Sequence, residues 1–184
     1  WAFDGTKGTF PSGATGLAVL AYLGNGHTPF SGTYKQEVCE AIKFLISYQQ
    51  ADGSLETMGT EGLYAHLFAH WALAEALLLS QEAYDGDCAE GCDLTIAQIQ
   101  AAAESATAFT VYADRSDGGW RYWPENYDGS NHGDMSHAPW AISALLASKK
   151  AGLQAAMSDF QLKKLGNFIN SHGTSPVDDN SSGT

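Results

Sequence analysis

Hydrophobic residues recur at the three-to-four-residue spacing of α-helices in six separate segments of the chain. Three of these segments are apolar and alanine-rich on almost every side, which is typical of buried helices, whereas the other three carry one apolar stripe beside polar positions. Strand-type patterns are nearly absent, with one short extended piece indicated at 121–123. The pattern predicts apolar helices over 14–23, 63–79 and 136–148, and amphipathic helices over 34–50, 94–112 and 158–171.

The two kinds of helix alternate, so each apolar helix is followed by an amphipathic one. This order predicts an all-α fold: an α/α toroid-like array of three helical hairpins, forming an open half ring with the apolar helices inside. In the last helix, Phe160, Leu165, Phe168 and Ile169 are expected to face the core. Similar triplets recur in the apolar helices at 17–19, 71–73 and 140–142, and Asp-Gly turns recur before them at 3–10, 51–57 and 116–122.

Composition limits the partners of the protein. The 184 residues predict one repeat domain over 1–172 and a polar tail or linker over 173–184. With a net charge of −12 and only nine Lys and Arg, binding to nucleic acid or to an anionic membrane surface is not expected. No apolar run approaches the roughly 20 residues of a membrane span, so none is predicted.

Several motifs carry a resemblance to a known family. The connections YQQADGS (48–54) and SDGGW (116–120), together with the helices YAHLFAHWALAEA (64–76) and GDMSHAPWAISALLASKKAGL (133–153), resemble the prenyltransferase and squalene-cyclase repeat superfamily. Within it, the chain is most similar to the uncharacterised repeat proteins of planctomycete-like bacteria. The resemblance covers residues 1–172 and implies an α/α-toroid fold. It carries much less weight for activity, because function depends on the site and not on the fold.

The catalytic motifs of that family are not found in this sequence. Its zinc enzymes carry an Asp two residues before a ligand Cys, where this chain has Glu37, Gly86 and Glu90. Its bacterial cyclases protonate their substrate from an Asp-rich motif, whereas the nearest stretch here, 131–134, holds only Asp134. The sequence therefore leans against an enzyme. Three hairpins also leave open ends, which calls for a homo-oligomer, a polymer neighbour or a remaining part of the chain.

His66 and His70 lie four residues apart on one face of a predicted helix. That spacing can present two imidazoles to one metal ion, with Asp134 or His137 as a further ligand from the next apolar helix. Glu75 cannot join them, because it lies about 180° around the helix from His66. The alternative, which we favour, is that both imidazoles are hydrogen-bonded inside a packed core.

The segment 117–140 is the richest in functional residue types, because it combines aromatic rings with carboxylates and histidines. Such a combination could stack on a sugar or line an apolar pocket, although Trp120 is expected simply to fill a packing position. Asp134 and His137 are the candidates for acid or base catalysis. The candidate ligand-binding residues are Tyr64, His66, Trp71, Trp123, Tyr127, His132 and Trp140.

The cysteines and their acidic neighbours give a further set of expectations. Cys88 and Cys92 are predicted to form a small disulfide, which indicates an exported, extracellular or periplasmic protein, while Cys39 is expected to be a small buried hydrophobe. No cofactor is predicted outright; zinc at the histidines and calcium at the acidic loop are the ions that the patterns allow. The calcium ligands would be Asp85, Asp87, Glu90 and Asp93.

Three functions follow from these observations. The first is a non-catalytic, exported α/α-toroid repeat module that acts by binding or by self-assembly, as an extracellular structural or interaction protein. The second is an isoprenoid or terpenoid cyclase-like enzyme, with Asp134 as the acid and Trp71, Trp120 and Trp140 stabilising a cation. The third is a carbohydrate-active α/α-barrel enzyme using Asp134, His137 and His66. We expect the first.

Overall fold

The structure is a computed structural model that describes residues 10–56, 62–82, 90–122, 124, 132–155 and 157–173. This part of the chain is all-helical and contains no strand, which confirms the all-α prediction. Each helix begins and ends within about three residues of a predicted segment, as expected for boundaries read from sequence patterns. The helices are α1 (Pro11–Gly24), α2 (Lys35–Tyr48), α3 (Gly62–Glu82), α4 (Ile96–Tyr112), α5 (Ala138–Lys150) and α6 (Asp159–Gly173).

Helix α3 lies at the centre of the described structure. Helices α1 and α5 pack along its two sides and do not touch each other, so α1, α3 and α5 form one layer. Helix α4 packs against both α3 and α5, and α2 contacts α1, α3 and α4, so these two helices form a second layer. The longest of the described helices, with 21 residues, is therefore the most enclosed.

Two glycines of α1 allow it to approach α3 closely. A methyl group added at Gly13 would lie 2.8 Å from the Cα atom of Ala65, and one added at Gly16 would lie 2.7 Å from the backbone of Phe68 and Ala69. These contacts are with backbone atoms, which cannot swing aside. The absence of side chains at Gly13 and Gly16 thus sets the distance between the two helices.

The core is divided into two hydrophobic clusters. One lies between α1, α2, α3 and α4, around Val19, Ile42 and Leu73, and the other joins α3, α4, α5 and α6 around Trp120 and Phe168. The packing position expected for Trp120 is confirmed, since its side chain is fully buried and its indole N–H donates to the Thr110 carbonyl at 2.9 Å.

Two core assignments in α6 were wrong. Leu165 and Phe168 are buried as predicted, but Phe160 is 72% exposed and Ile169 is 37% exposed. Phe160 lies in the first turn of α6, and no described helix packs over that end. The helical period placed it near the apolar stripe, but a pattern cannot show where the covering helix ends.

Two loops of the chain share one backbone geometry. In residues 50–54 and 115–119 the first N–H donates to the fifth carbonyl, and the glycine N–H donates back to the first carbonyl. Gly53 and Gly118 have φ values of 90° and 91°, a region that favours glycine. In each loop the Asp carboxylate accepts from the N–H two residues later, at 2.9 Å for Asp52 and 3.0 Å for Asp117.

Each of these Asp-Gly loops also packs on a later helix, α4 or α6. The α-carbon of Gly53 faces the backbone of Ser105 in α4, and that of Gly118 faces the backbone of Lys164 in α6. The residue just before each loop reaches the same helix, because the Gln49 amide donates to the Ala102 carbonyl and Lys164 pairs with Asp114 at 3.0 Å. The internal repeat seen in the sequence is therefore a repeat of contacts as well.

The disulfide differs from the predicted one. Cys92 is bonded to Cys39, with the two Cα atoms 6.4 Å apart, and so is not paired with Cys88. Cys88 lies outside the described residues. Cys39 is fully buried in α2, as predicted, and packing of α2 beside the segment before α4 brings it to Cys92. Short spacing favoured the Cys88–Cys92 pair, but proximity in the fold decides which thiols meet.

Among the described residues, α3 is the one helix that is long and apolar enough to cross a membrane by length and composition. In its most apolar stretch, 67% is buried inside the protein. It also carries two fully buried histidines. These features are typical of the central helix of a helical core.

Candidate functional site

Helix α3 leaves one narrow stripe accessible. Between Gly62 and Leu77 every residue is buried except those at positions 64, 68, 71 and 75. The spacing of four, three and four residues places these positions on one side of the helix. Three of them are aromatic and the fourth is Glu75, so the accessible side of the central helix is a row of rings.

Rings from α5 and from the segment before it extend this row. The Tyr64 and His137 rings stack with centroids 3.7 Å apart, and Tyr122 meets His137 edge-on at 4.9 Å. Farther along, Trp140 packs edge-on against Phe68 at 5.0 Å and lies 6.4 Å from Trp71. Apart from the buried His137, each ring is partly exposed. We call this set the aromatic face: Tyr64, Phe68, Trp71, Tyr122, His137 and Trp140.

An apolar groove continues the aromatic face towards α1. It has a volume of about 360 Å³ and is lined by Leu20, Leu23 and Gly24 of α1 and by Trp71, Glu75 and Leu79 of α3. The Trp71 indole N–H donates to the Glu75 carboxylate at 3.1 Å. This hydrogen bond fixes the orientation of the Trp71 ring at the junction of the groove and the face.

Asp134 is held as a hydrogen-bond acceptor beside the aromatic face. Its carboxylate accepts from the backbone N–H of Ser136 at 2.8 Å and from the Ser136 hydroxyl at 2.7 Å. The Tyr64 hydroxyl donates in turn to the Ser136 oxygen. The Ser136 hydrogen bonds, the backbone one first, lower the pKa of Asp134 below its usual range. Asp134 is thus suited to orient Ser136 and Tyr64, and poorly suited to donate a proton.

His137 is fully buried under the same rings. Its pKa is lowered to about 4, chiefly by burial; the Asp134 charge raises it, and the charges of Arg121 and Arg115 lower it. The imidazole is therefore neutral near pH 7. Its Nδ1 atom lies 3.3 Å from the Ser136 hydroxyl oxygen. The contact that dominates its surroundings is the stacked ring of Tyr64.

His66 and His70 lie on the opposite, fully buried side of α3, within a continuous set of hydrogen bonds. The backbone N–H of Leu55 donates to His66 Nδ1 at 3.0 Å, so this neutral ring carries its proton on Nε2 and donates to Thr110 at 2.9 Å. The Thr110 hydroxyl can then donate to His70 Nδ1 at 2.8 Å. One hydroxyl thereby satisfies both imidazoles.

The set of hydrogen bonds ends on backbone carbonyls in two other helices. His70 Nε2 lies 3.0 Å from the Thr107 hydroxyl and 2.9 Å from the Ser148 hydroxyl. These hydroxyls donate to the carbonyls of Ala103 in α4 and Ala144 in α5. The buried histidine network, as we call it, joins α3, α4, α5 and the 50–54 loop; its members are Leu55, His66, His70, Thr107, Thr110 and Ser148.

Burial keeps both imidazoles neutral. It lowers the pKa of His66 to about 3, and it lowers the pKa of His70 well below the usual value, with the His66 charge acting in the same direction. All four ring nitrogens already have protein partners. No group of three or more His, Cys, Asp or Glu side chains suited to a metal occurs within the described residues. The geometry therefore favours the packed role of the pair.

The remaining predicted site residues are spread over the molecule. The His132 side chain is 82% exposed and lies 3.7 Å from the Asp117 carboxylate, at the 115–119 loop. Asp93 pairs with Lys43 at 2.8 Å, and this contact lowers its pKa. Glu90 is exposed, and the other predicted residues, Trp123, Tyr127, Asp85 and Asp87, lie outside the described residues.

Sequence reasoning missed Phe68, Tyr122, Glu75 and Ser136 as neighbours of the candidate site. A signal for Phe68 and Glu75 was available, because the spacing 64, 68, 71 and 75 follows one side of a helix, whereas Tyr122 lies inside the segment 117–140. That signal was hidden because the intervening residues are equally apolar. Ser136 acts through its contacts with Asp134 and Tyr64, which a pattern does not show.

No protein-family model, curated protein or solved structure matches the chain. The aromatic face and the buried histidine network are therefore the observations on which a function can be based.

Proposed function

We propose that the chain is a non-catalytic, exported repeat module of the α/α-toroid type that acts by binding, with the aromatic face as its ligand surface. The observation that carries this proposal is the row of rings on the accessible side of α3 and α5. Partly exposed rings on rigid helices offer large apolar contact area at low entropic cost. A ligand with an apolar side, such as a sugar ring or a hydrocarbon chain, fits such a surface.

The titratable groups beside the face support binding over catalysis. A general acid acting near pH 7 needs a raised carboxyl pKa, whereas hydrogen bonds from Ser136 lower that of Asp134. A general base needs a pKa near the working pH, whereas burial lowers that of His137 to about 4. Neither group has the acid–base properties that the cyclase-like or carbohydrate-active alternative requires.

The toroid-type arrangement is supported by the repeated contacts. Both Asp-Gly loops have the same hydrogen bonds, and each glycine packs on a later helix, α4 or α6. In a helical repeat array, one loop geometry repeated at each step gives each hairpin the same placement on the next. By this reasoning α1, α3 and α5 are the inner helices, and the aromatic face lines the inside of the curve.

Export is supported by the disulfide. The bond between Cys39 and Cys92 has one sulfur in a fully buried side chain, within the cluster that joins α1, α2, α3 and α4. Disulfides that link core elements form and persist in oxidising compartments. We therefore place the protein outside the cytoplasm, in an extracellular or periplasmic setting.

The experiment is a titration of intrinsic tryptophan fluorescence with two probes, a β-linked glucose oligosaccharide and a C15 isoprenoid alcohol. We expect saturable quenching or a spectral shift by at least one probe, because Trp71 and Trp140 lie on the face. The double variant Trp71→Ala/Trp140→Ala, whose affinity is measured by isothermal titration calorimetry because it lacks the reporting rings, should bind that probe at least tenfold more weakly. The matched control is Tyr112→Ala, which removes a ring that is 60% exposed on α4, away from the face.

Product analysis of the same mixtures separates binding from catalysis. We expect both probes to be recovered unchanged by chromatography and mass spectrometry. Turnover of either probe that is lost in Asp134→Asn would replace the binding proposal with the cyclase-like or the carbohydrate-active alternative. Equal affinity in the wild type and in the Trp71→Ala/Trp140→Ala variant would remove the aromatic face as the ligand surface.

A further inference from the structure

The first end of the helix array carries an open apolar groove. It has a volume of about 630 Å³ and runs between α1 and α2. Its α1 residues Thr15, Ala18 and Tyr22 lie between about 100° and 160° around the helix from Gly16, which faces α3, by the roughly 100° per residue of a helix. The groove therefore opens on the side of α1 turned away from the rest of the array.

The charged lining of this groove is acidic. Glu37 and Glu40 of α2 line it, and no Lys or Arg is among its described lining residues. Lys43 of the same helix is paired with Asp93 at 2.8 Å, and Lys35 lies about 160° around the helix from Glu37. Phe44, which is 36% exposed, completes an apolar floor with an acidic rim.

The opposite end of the array has the complementary character. Four large apolar side chains are exposed on these two helices: Leu146 of α5 at 52%, and Phe160, Leu162 and Ile169 of α6 at 72%, 37% and 37%. The exposed lysines beside them are Lys149, Lys150 and Lys163, and the only carboxylate on either helix is Asp159. An apolar ridge with a basic rim thus lies at one end of the described array, and an apolar groove with an acidic rim at the other.

We propose that copies of this chain associate head to tail, with the α5–α6 ridge of one copy seated in the α1–α2 groove of the next. The opposite charges of the two rims favour this pairing and disfavour contacts between like ends. The inference goes beyond the proposed function, because it concerns the two ends and does not involve the aromatic face. A contact between two different surfaces does not close on itself in a dimer, so it produces chains or rings.

The first test is sedimentation velocity of the purified full chain over a range of concentrations. We expect the weight-average sedimentation coefficient to rise with concentration beyond the dimer value, and to fall when salt is raised to 1 M. Phe160→Ser should shift this rise to at least tenfold higher concentration, whereas Tyr112→Ser, an exposed ring on α4, should leave it unchanged. A wild-type chain that stays monomeric throughout would overturn the proposal.

A charge exchange gives the sharper test. The variants Glu37→Lys/Glu40→Lys and Lys149→Glu/Lys163→Glu should each stay monomeric, because both of their ends then carry the same charge. Mixed in equal amounts they should associate, because each end of one variant now complements the other variant. Circular dichroism at 222 nm checks that both remain folded. Loss of association in only one variant, or no association in the mixture, would overturn the head-to-tail arrangement.

These outcomes are independent of the ligand experiment. Failure of the charge exchange with ligand binding intact would remove the assembly and leave the binding module. Failure of ligand binding with assembly intact would remove the binding module and leave the assembly. The two outcomes are separable because neither pair of charged residues belongs to the aromatic face.

Discussion

Two neutral histidines in the middle of a helical core are stable only because each ring nitrogen meets a partner of the right kind. Thr110 is central, since its oxygen accepts from His66 while its proton goes to His70. A buried polar group left without a partner costs about 1–3 kcal/mol. The buried histidine network therefore favours one relative placement of α3, α4 and α5 over alternatives with similar apolar contacts.

Replacing Thr110 by Val removes the shared hydroxyl at nearly constant shape. Both His66 Nε2 and His70 Nδ1 then lose a partner inside the core, so we expect the free energy of unfolding to fall by about 2–4 kcal/mol. Chemical denaturation followed by circular dichroism measures the change. The control is Thr33→Val at an exposed position, which should stay within about 0.5 kcal/mol of the wild type. Equal effects of the two substitutions would contradict the network.

The same histidines make the fold sensitive to acid. The pKa of His66 is lowered by burial, so the unfolded chain takes up the proton first as the pH falls below 6.5. Stability is then lost between pH 6.5 and the folded pKa of about 3, with His66 alone contributing a loss of about 2 kcal/mol by pH 5. His70 and His137 act in the same direction. Urea denaturation at pH 7.5, 6 and 5 measures how steeply the free energy of unfolding falls as the pH is lowered. The substitution His66→Gln should make this fall smaller.

At the scale of single elements, close contact between helices depends on missing side chains. Helix α1 has no charged residue and only a modest buried surface, but Gly13 and Gly16 let it lie against the α3 backbone. The Asp-Gly loops also approach a helix closely because they lack a side chain. A Cβ atom added at Gly53 or Gly118 would overlap the backbone of α4 or α6. Glycine therefore determines how the helices are spaced in both layers.

Adding one methyl group at Gly16 tests this spacing. The new Cβ atom would lie 2.7 Å from α3 backbone atoms, so the helices must separate, and we expect Gly16→Ala to lower the free energy of unfolding by about 1–3 kcal/mol. Thermal unfolding measures it. The matched control is Gly166→Ala in α6, which meets nothing within 4 Å and should stabilise its helix by about 0.5–1 kcal/mol. The same sign for both substitutions would contradict the close approach.

At the scale of the whole molecule, the disulfide ties the first pair of helices to the second. Cys39 belongs to α2 and Cys92 to the segment just before α4, 53 positions apart in sequence. A bond across a loop of that length removes many conformations from the unfolded chain. Both cysteines belong to the hydrophobic cluster between α1, α2, α3 and α4, so the bond strengthens the packing of that cluster.

Removing this disulfide should lower the free energy of unfolding. We expect the double variant Cys39→Ser/Cys92→Ser to lose about 3–4 kcal/mol of unfolding free energy, as loop-closure entropy predicts for this separation. Cys88→Ser should have little effect. Mass spectrometry of an unreduced digest identifies the linked peptides directly. A peptide linking Cys88 to Cys92, together with a stable Cys39→Ser chain, would reverse the assignment.

The sequence by itself determined the helices of this protein, because their apolar positions follow the local period of the backbone. It also determined the Asp-Gly turns, since their glycines adopt a positive φ that other residues avoid. The expected burial of Trp120, Leu165 and Phe168 rested on the same local patterns and is confirmed. These features depend on residues close together in the chain, and a pattern can report them.

Only the tertiary structure determined which residues from distant parts of the chain contact each other. His70 meets Ser148, 78 residues away, and Cys39 meets Cys92 in preference to the nearer Cys88. The exposed position of Phe160 and the accessible stripe of α3 likewise depend on where a neighbouring helix lies. Such contacts are fixed by the packing of distant segments, where the close approach of glycines, the hydrogen bonds of buried hydroxyls and the shape of the core all act at once. No single stretch of sequence contains that information.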